Sequence, residues 1–265
     1  MKNKIDFIVA GTQKGGTTAL YQYLNDHDDI CMSRKQEAHF FDNDKYFINP
    51  YITKLMYYKY HSYFRKKSEN QLLGEGTPIY MYWYDTPKRL WEYNPNIKII
   101  ITLRNPIERA YSQWNMSRMK NKDSLSFWDA IQQEDERKRE ALPKQHRVYS
   151  YIDRGFYSEQ LKRIWHFFPK EQTLIVKNED LKNKPYETLK QIYDFLGVSM
   201  PQDIAIKNAN TRPYSSPLSL KEFEYLKDIF STEITILEKL LNWDCSQWLE
   251  YPTKEEEINS KKNER

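Results

Sequence analysis

Two cysteines in 265 residues, Cys31 and Cys245, are too few for a disulfide framework. They read as reduced structural residues and suit a reducing compartment. Long apolar runs are missing as well. Nothing approaches the ~20 consecutive apolar residues that span a bilayer. The apolar stretch Ile5–Ala10 is too short for a signal-peptide core. A cytoplasmic protein without a membrane span is the expectation. Net charge is small, with 41 Lys+Arg against 37 Asp+Glu giving +4. That excess helps steer an anionic ligand, but no continuous basic arm points to nucleic acid. No internal repeat is visible, and oligomeric state is not readable.

What the chain does have is aromatic residues, at 15%, including 21 tyrosines. Disordered chains are poor in aromatics, so this chain is expected to fold. Its length suits one large α/β domain or two small ones. Residues 1–251 are expected to form one domain. Residues 252–265, with the polar run EEEINSKKNER, read as a frayed tail.

Continuous apolar runs mark strands buried on both faces of a parallel sheet. Ile5–Ala10, Ile97–Leu103 and Gln172–Val176 fit that pattern, and Leu72–Gly74 suggests a shorter strand. Helical spacing follows the first run. Asn105-Pro106, a cap with proline at the first helical position, follows the second. Residues 155–168, 186–196 (stopped by Gly197) and 219–241 read as further helices. The charged stretch 124–144 reads as an exposed helix or lid. Strands alternating with helices predict an α/β fold: three layers, with a mostly parallel central sheet flanked by helices. Ligands of such folds bind at the carboxyl ends of the strands.

Between the first strand and its helix lies Gly11-Thr-Gln-Lys-Gly-Gly-Thr-Thr18. Backbone N–H groups of a glycine loop at a helix start bind phosphate. The spacing resembles a nucleotide P-loop, but Thr17 stands where that motif has lysine, and Lys14 sits inside the loop. The strand Ile97–Leu103 ends in Arg104 and Asn105, with no acid there to hold magnesium. Arginine there suits direct phosphate contact. The residues describe an anion site built from donors, with no metal expected.

These residues resemble the PAPS-dependent sulfotransferases, in the branch of the heparan sulfate enzymes and their bacterial relatives. GTQKGGTTALYQYL resembles that family's 5′-phosphosulfate loop, and ITLRNPIERAYSQW its 3′-phosphate motif. QEAHFFD (36–42) resembles the segment with its catalytic glutamate. RGFYSEQLKRIWHFFPKEQTLIVKNEDL and YDFLGV resemble its second half. The resemblance implies a P-loop nucleotide-hydrolase-like sulfotransferase fold. It implies that the co-substrate is 3′-phosphoadenylyl sulfate (PAPS), and that a sulfuryl group passes to a hydroxyl or amine of a carbohydrate or glycoconjugate acceptor. Lys14 corresponds to the lysine that contacts the phosphosulfate, and Gly15, Gly16, Thr17 and Thr18 to the rest of the cradle. Arg104 and Ser112 correspond to the 3′-phosphate pair. Glu37 corresponds to the general base and His39 to the histidine beside it. Arg212, in NANTRPYSSP, falls near a basic loop that closes over the nucleotide. One position departs: Gly76, in Glu75-Gly-Thr-Pro78, stands where the carbohydrate branch often has a lysine at the reaction centre.

In-line sulfuryl transfer needs charge stabilised on the leaving oxygen, which Lys14 and the loop N–H groups can supply. A base must take the acceptor proton, and Glu37 is the candidate. Beside Phe40-Phe41, partial burial would raise its pKa; the competing reading is an ordinary surface glutamate. His39, two residues on, points the same way if the segment is extended; a structural histidine is the alternative. The tyrosines of 46–84, with Trp83, read either as sugar-stacking surfaces or as packing. A P-loop nucleotide kinase and a non-catalytic nucleotide- or polysaccharide-binding module are the competing functions. The kinase lacks its lysine and acid, and a binding module could have lost Lys14 or Glu37.

Overall fold

The computed structural model describes residues 4–66, 68–206 and 216–252. They gather into two compact units. The first draws on Met1–Arg104 and Lys162–Ala209, the second on Asn105–Leu161 and Asn210–Arg265. The strands are β1 (Phe7–Gly11), β2 (Ile30–Met32), β3 (Leu72–Gly76), β4 (Lys98–Leu103) and β5 (Thr173–Lys177). The helices are α1 (Thr17–Asn25), α2 (Pro50–His61), α3 (Thr86–Tyr93), α4 (Pro106–Met119), α5 (Phe127–Gln132), α6 (Glu134–Arg137), α7 (Tyr157–Trp165), α8 (Asn178–Asn183), α9 (Pro185–Leu196) and α10 (Leu220–Leu241). Short 3-10 turns connect several of them.

All five strands belong to the first unit and run parallel in the order β2-β3-β1-β4-β5. Central β1 is buried at every residue, as a strand covered on both faces must be. Phe7 pairs with Gly74 of β3 and Lys98 of β4. Helices flank this sheet. On one face Phe7, Val9 and Ile100 pack with Leu20 and Leu24 of α1 and Leu189 and Ile192 of α9. Each such fully buried side chain contributes about 1.5–3 kcal/mol. The consequence for function is positional: β1 is paired in parallel with β3 on one edge and β4 on the other. The carboxyl ends of β3, β1 and β4 therefore stand side by side.

The second unit holds α4, α5, α6 and α10, and α7 crosses the boundary. Asn105 caps α4 by accepting from the Ile107 N–H at 3.0 Å, as the Asn-Pro signal predicts. The stretch 124–144 folds as the short helices α5 and α6, exposed over most of its residues and anchored by a buried few. Phe127, Ile131 and Glu134 are buried, and Glu134 accepts the backbone N–H groups of Ile152 and Asp153, each at 2.8 Å. Among the described residues no helix is long and apolar enough to cross a membrane. Cys31 and Cys245 are both free and buried.

Candidate active site

The loop after β1 is folded by two left-handed residues, Lys14 (φ 70) and Gly16 (φ 87). A side chain at Gly16 would be strained there, and its Cβ would lie 2.2 Å from Asn178 Nδ2. Gly15 is equally confined, because a Cβ would stand 2.7 Å from the carbonyl oxygen of Thr102. The backbone is closely held: Thr12 N–H donates to Thr102 O at 2.8 Å, and Asn178 Nδ2 to Gly15 O at 3.1 Å. Gly16 is the N-cap of α1, and no side chain caps the helix. The first N–H groups of α1 thus face outward at its positive dipole end, an anion-binding arrangement. Thr17 is buried and Thr18 exposed at that helix start. Arg104, just past β4, reaches the same loop, its Nη1 lying 3.5 Å from Lys14 O. The cradle is shaped for an anion that lies against main chain.

The segment 33–42 joins β2 to the first 3-10 turn without regular structure. Here His39 lies between two carboxylates. Its Nε2 is 3.2 Å from Glu37 Oε2 and its Nδ1 is 3.0 Å from Asp42 Oδ2. The hydrogen bond to Asp42 first, and that to Glu37 second, push the His39 pKa up to about 9. At neutral pH the ring is an imidazolium donating from both nitrogens. The two-residue spacing puts Glu37 and His39 on one side only in an extended segment, and this segment is not extended. His39 is left-handed (φ 50), and the turn brings the three groups together.

Glu37 is not buried against Phe40-Phe41. Its side chain is 47% exposed, while Phe40 and Phe41 are in the core. The buried carboxyls here are Asp42 and Glu75, the latter at the end of β3. Burial first of all pushes the Glu75 pKa up to about 7, against hydrogen bonds from Thr77, Tyr60 and the Ala38 backbone that pull it down. Tyr60 Oη donates to Glu75 Oε2 at 2.9 Å, and Thr77 Oγ1 donates to Glu75 Oε1. Gly76 has room for a Cβ, which would meet Tyr21 Cδ2 at 3.5 Å and Val9 Cβ at 3.8 Å, ordinary contacts.

The aromatic stretch divides. Tyr60, Tyr80, Tyr82 and Trp83 are buried, and Phe40 stacks on Tyr60 with centroids 4.5 Å apart. For these residues packing is the answer. Tyr58 and Tyr84 stand exposed.

The structure therefore brings together Lys14, Gly15, Gly16 and Arg104 in one loop region, and Glu37 with His39 in another. Ser112 lies in the second unit, buried on α4. Arg212 lies outside the described residues. Sequence reasoning missed Asp42, Glu75, Thr77 and Asn178. Asp42 stood within the quoted QEAHFFD, three residues from His39, and that spacing was the available signal.

Residues 4–229 match the family described as Sulfotransferase domain. The chain is 29% identical to the heparan sulfate glucosamine 3-O-sulfotransferase 6 of Homo sapiens, over 72% of this chain and 52% of that protein. It is 26% identical to the membrane-associated sulfotransferase kil1 of Dictyostelium discoideum, over 90% of this chain and 65% of that one. It spans about half the length of the heparan sulfate relatives it matches. A solved sulfotransferase from Alicyclobacillus acidocaldarius superposes with a TM-score of 0.78 at 27% identity, over 94% of this chain and all of that one. By its matched residues, its parallel sheet and its glycine loop, this chain belongs to the sulfotransferase domain family and has that family's P-loop-like fold.

Proposed function

We propose that this chain transfers the sulfuryl group of PAPS to a hydroxyl or amine of a carbohydrate acceptor. The observation that carries the reading is one of placement. A main-chain anion cradle with Lys14 follows β1, and an exposed carboxylate, Glu37, is held against an imidazolium beside the neighbouring strand β3. The cradle fits the phosphosulfate, since Gly15 and Gly16 leave main chain where a Cβ would intrude. The relatives named for heparan sulfate support a carbohydrate acceptor.

In this reading Glu37 takes the acceptor proton as the acceptor oxygen or nitrogen attacks sulfur. The bond from sulfur to the bridging phosphate oxygen breaks, and adenosine 3′,5′-bisphosphate (PAP) leaves. Lys14 and the N–H groups at the start of α1 meet the charge that grows on the leaving oxygen. His39, fixed by Asp42, orients Glu37 and balances its charge. Arg104 and Ser112 are assigned the 3′-phosphate by sequence resemblance, and the Arg104 assignment is tested by substitution. Arg212 is assigned to the nucleotide on the same ground.

Calorimetric titration with PAP, with ADP as control and no magnesium, tests the nucleotide half. PAP should bind more tightly than ADP. Arg104→Ala should weaken PAP by roughly tenfold to a hundredfold, the worth of a charged hydrogen bond. Equal binding of ADP, or a magnesium requirement, would sink the reading. The acceptor half is tested with sulfur-labelled PAPS and desulfated heparan sulfate. Label should enter the polymer with wild type and not with Glu37→Gln; failure to label any saccharide would remove the carbohydrate assignment.

A further inference from the structure

We propose that Glu75, Thr77 and Tyr80 are positioning residues that set the geometry of Glu37, His39 and Asp42 by gripping the main chain between them. The inference rests on the reading of Glu37 as the base. Four consecutive backbone N–H groups carry it. Ala38 donates to the Glu75 carboxyl, His39 to Thr77 Oγ1 at 3.4 Å, and Phe40 and Phe41 to Tyr80 Oη at 2.8 and 3.2 Å.

A buried main-chain donor needs a partner, and helix or sheet normally supplies it. This segment is neither. The partners instead come from three side chains within six residues of one another. Their own backbones are tied to the sheet. Glu75 pairs with Ile8 in β3, Thr77 N–H donates to Val9 O at 3.1 Å, and Tyr80 N–H to Thr77 O at 3.1 Å. All three side chains are essentially inaccessible to water. The left-handed turn at His39 is thus referenced, through side chains, to the strand that also leads into the anion loop.

The chemistry of Glu75 favours this role over simple packing. A carboxylate is costly to bury unless its hydrogen bonds are made, and an apolar side chain would fill the same volume more cheaply. What only an acceptor can do is hold Ala38 N–H while receiving Thr77 and Tyr60. Thr77 then links the two halves of the grip: its hydroxyl donates to Glu75 and accepts from His39 N–H.

The test reads His39 directly by NMR titration of its ring, alongside calorimetric PAP affinity. In wild type the ring should titrate at about 9, held there by Asp42 and Glu37. Thr77→Val keeps the shape and removes the acceptor. It should lower that value by at least about one unit, because the loosened turn draws the ring away from a carboxylate, and losing one such partner shifts a histidine on that scale. PAP affinity should stay within about twofold, and Thr77→Ser should restore the wild-type titration. Glu75→Gln and Tyr80→Phe each remove one acceptor elsewhere in the grip and serve if Thr77→Val does not fold. Unchanged His39 titration in the folded variants would overturn the proposal. Failure of wild type to bind PAP would instead overturn the function, leaving the His39 comparison to be judged separately.

Discussion

The sharpest consequences lie at single residues. Gly16→Ala forces a Cβ toward Asn178 at a left-handed backbone; PAP affinity should fall at least tenfold, as calorimetry would show, because the cradle must open. Gly76→Lys is the opposite case. Its Cβ meets only ordinary contacts, so the melting temperature should hold within a few degrees. If this chain's acceptor chemistry uses a cation there, labelled transfer to saccharide should rise. A large loss of stability would show that Gly76 is required by packing. Stability should also depend on pH in a stated direction. His39 is raised from 6.5 to about 9, so its pairing stabilises fully below 6.5 and is lost as pH rises through 9. Glu75 is raised from 4.5 to about 7 by burial, so the fold favours its protonated form and loses stability between those values. Urea denaturation should therefore give falling stability from pH 4.5 to 9. Glu75→Gln should flatten the lower half of that slope and His39→Asn the upper half; stability rising across the range would contradict both.

At the scale of elements, the best-marked signals were local ones. The chain leaves β4 through Asn105-Pro106, and α4 begins there. Ser219 and Glu222 form a capping box at the start of α10, the Ser219 hydroxyl accepting from Glu222 N–H at 3.3 Å and the Glu222 carboxylate from Ser219 N–H at 2.9 Å. Ser219→Ala should cost about 1 kcal/mol in denaturant unfolding, without changing PAP affinity. The elements that escaped the sequence are those whose pattern is short or mixed. β2 is three residues long. α2 reads PYITKLMYYKYH, aromatic on several sides, so no apolar stripe stands out. α3 and α8 have eight and six residues, little more than one or two turns of periodicity.

For the whole molecule, the small net charge of +4 leaves anion binding to local architecture. The five parallel strands send the segments that carry Lys14, Glu37, Thr77 and Arg104 out of one end of the sheet, and the nucleotide is expected to bind there. A ligand that binds only the folded chain stabilises it by mass action. Saturation to a hundred times its Kd should add about 2.7 kcal/mol and raise the melting temperature. ADP at the same concentration should raise it less. Equal shifts from the two nucleotides would argue that the 3′-phosphate is not recognised.

Glu37 and His39 became candidates through the family resemblance; by itself the sequence determined the alternation of strand and helix, the glycine loop after β1 with Lys14 inside it, and Arg104 at the end of β4. Those features follow from residues close in the chain, where apolar runs, caps and glycines act on their own neighbourhood. Only the tertiary structure decided which polar groups meet. Asn178 reaches the loop carbonyl of Gly15 across 163 residues, Thr77 reaches His39 across 38, and Glu75 becomes a buried acceptor because β3 lies between β1 and β2. Nothing in the spacing of Glu75, Thr77 and Tyr80 announces that they hold residues 38–41. A hydrogen bond between distant residues depends on strand order and register, which the whole sheet fixes together and no local pattern carries.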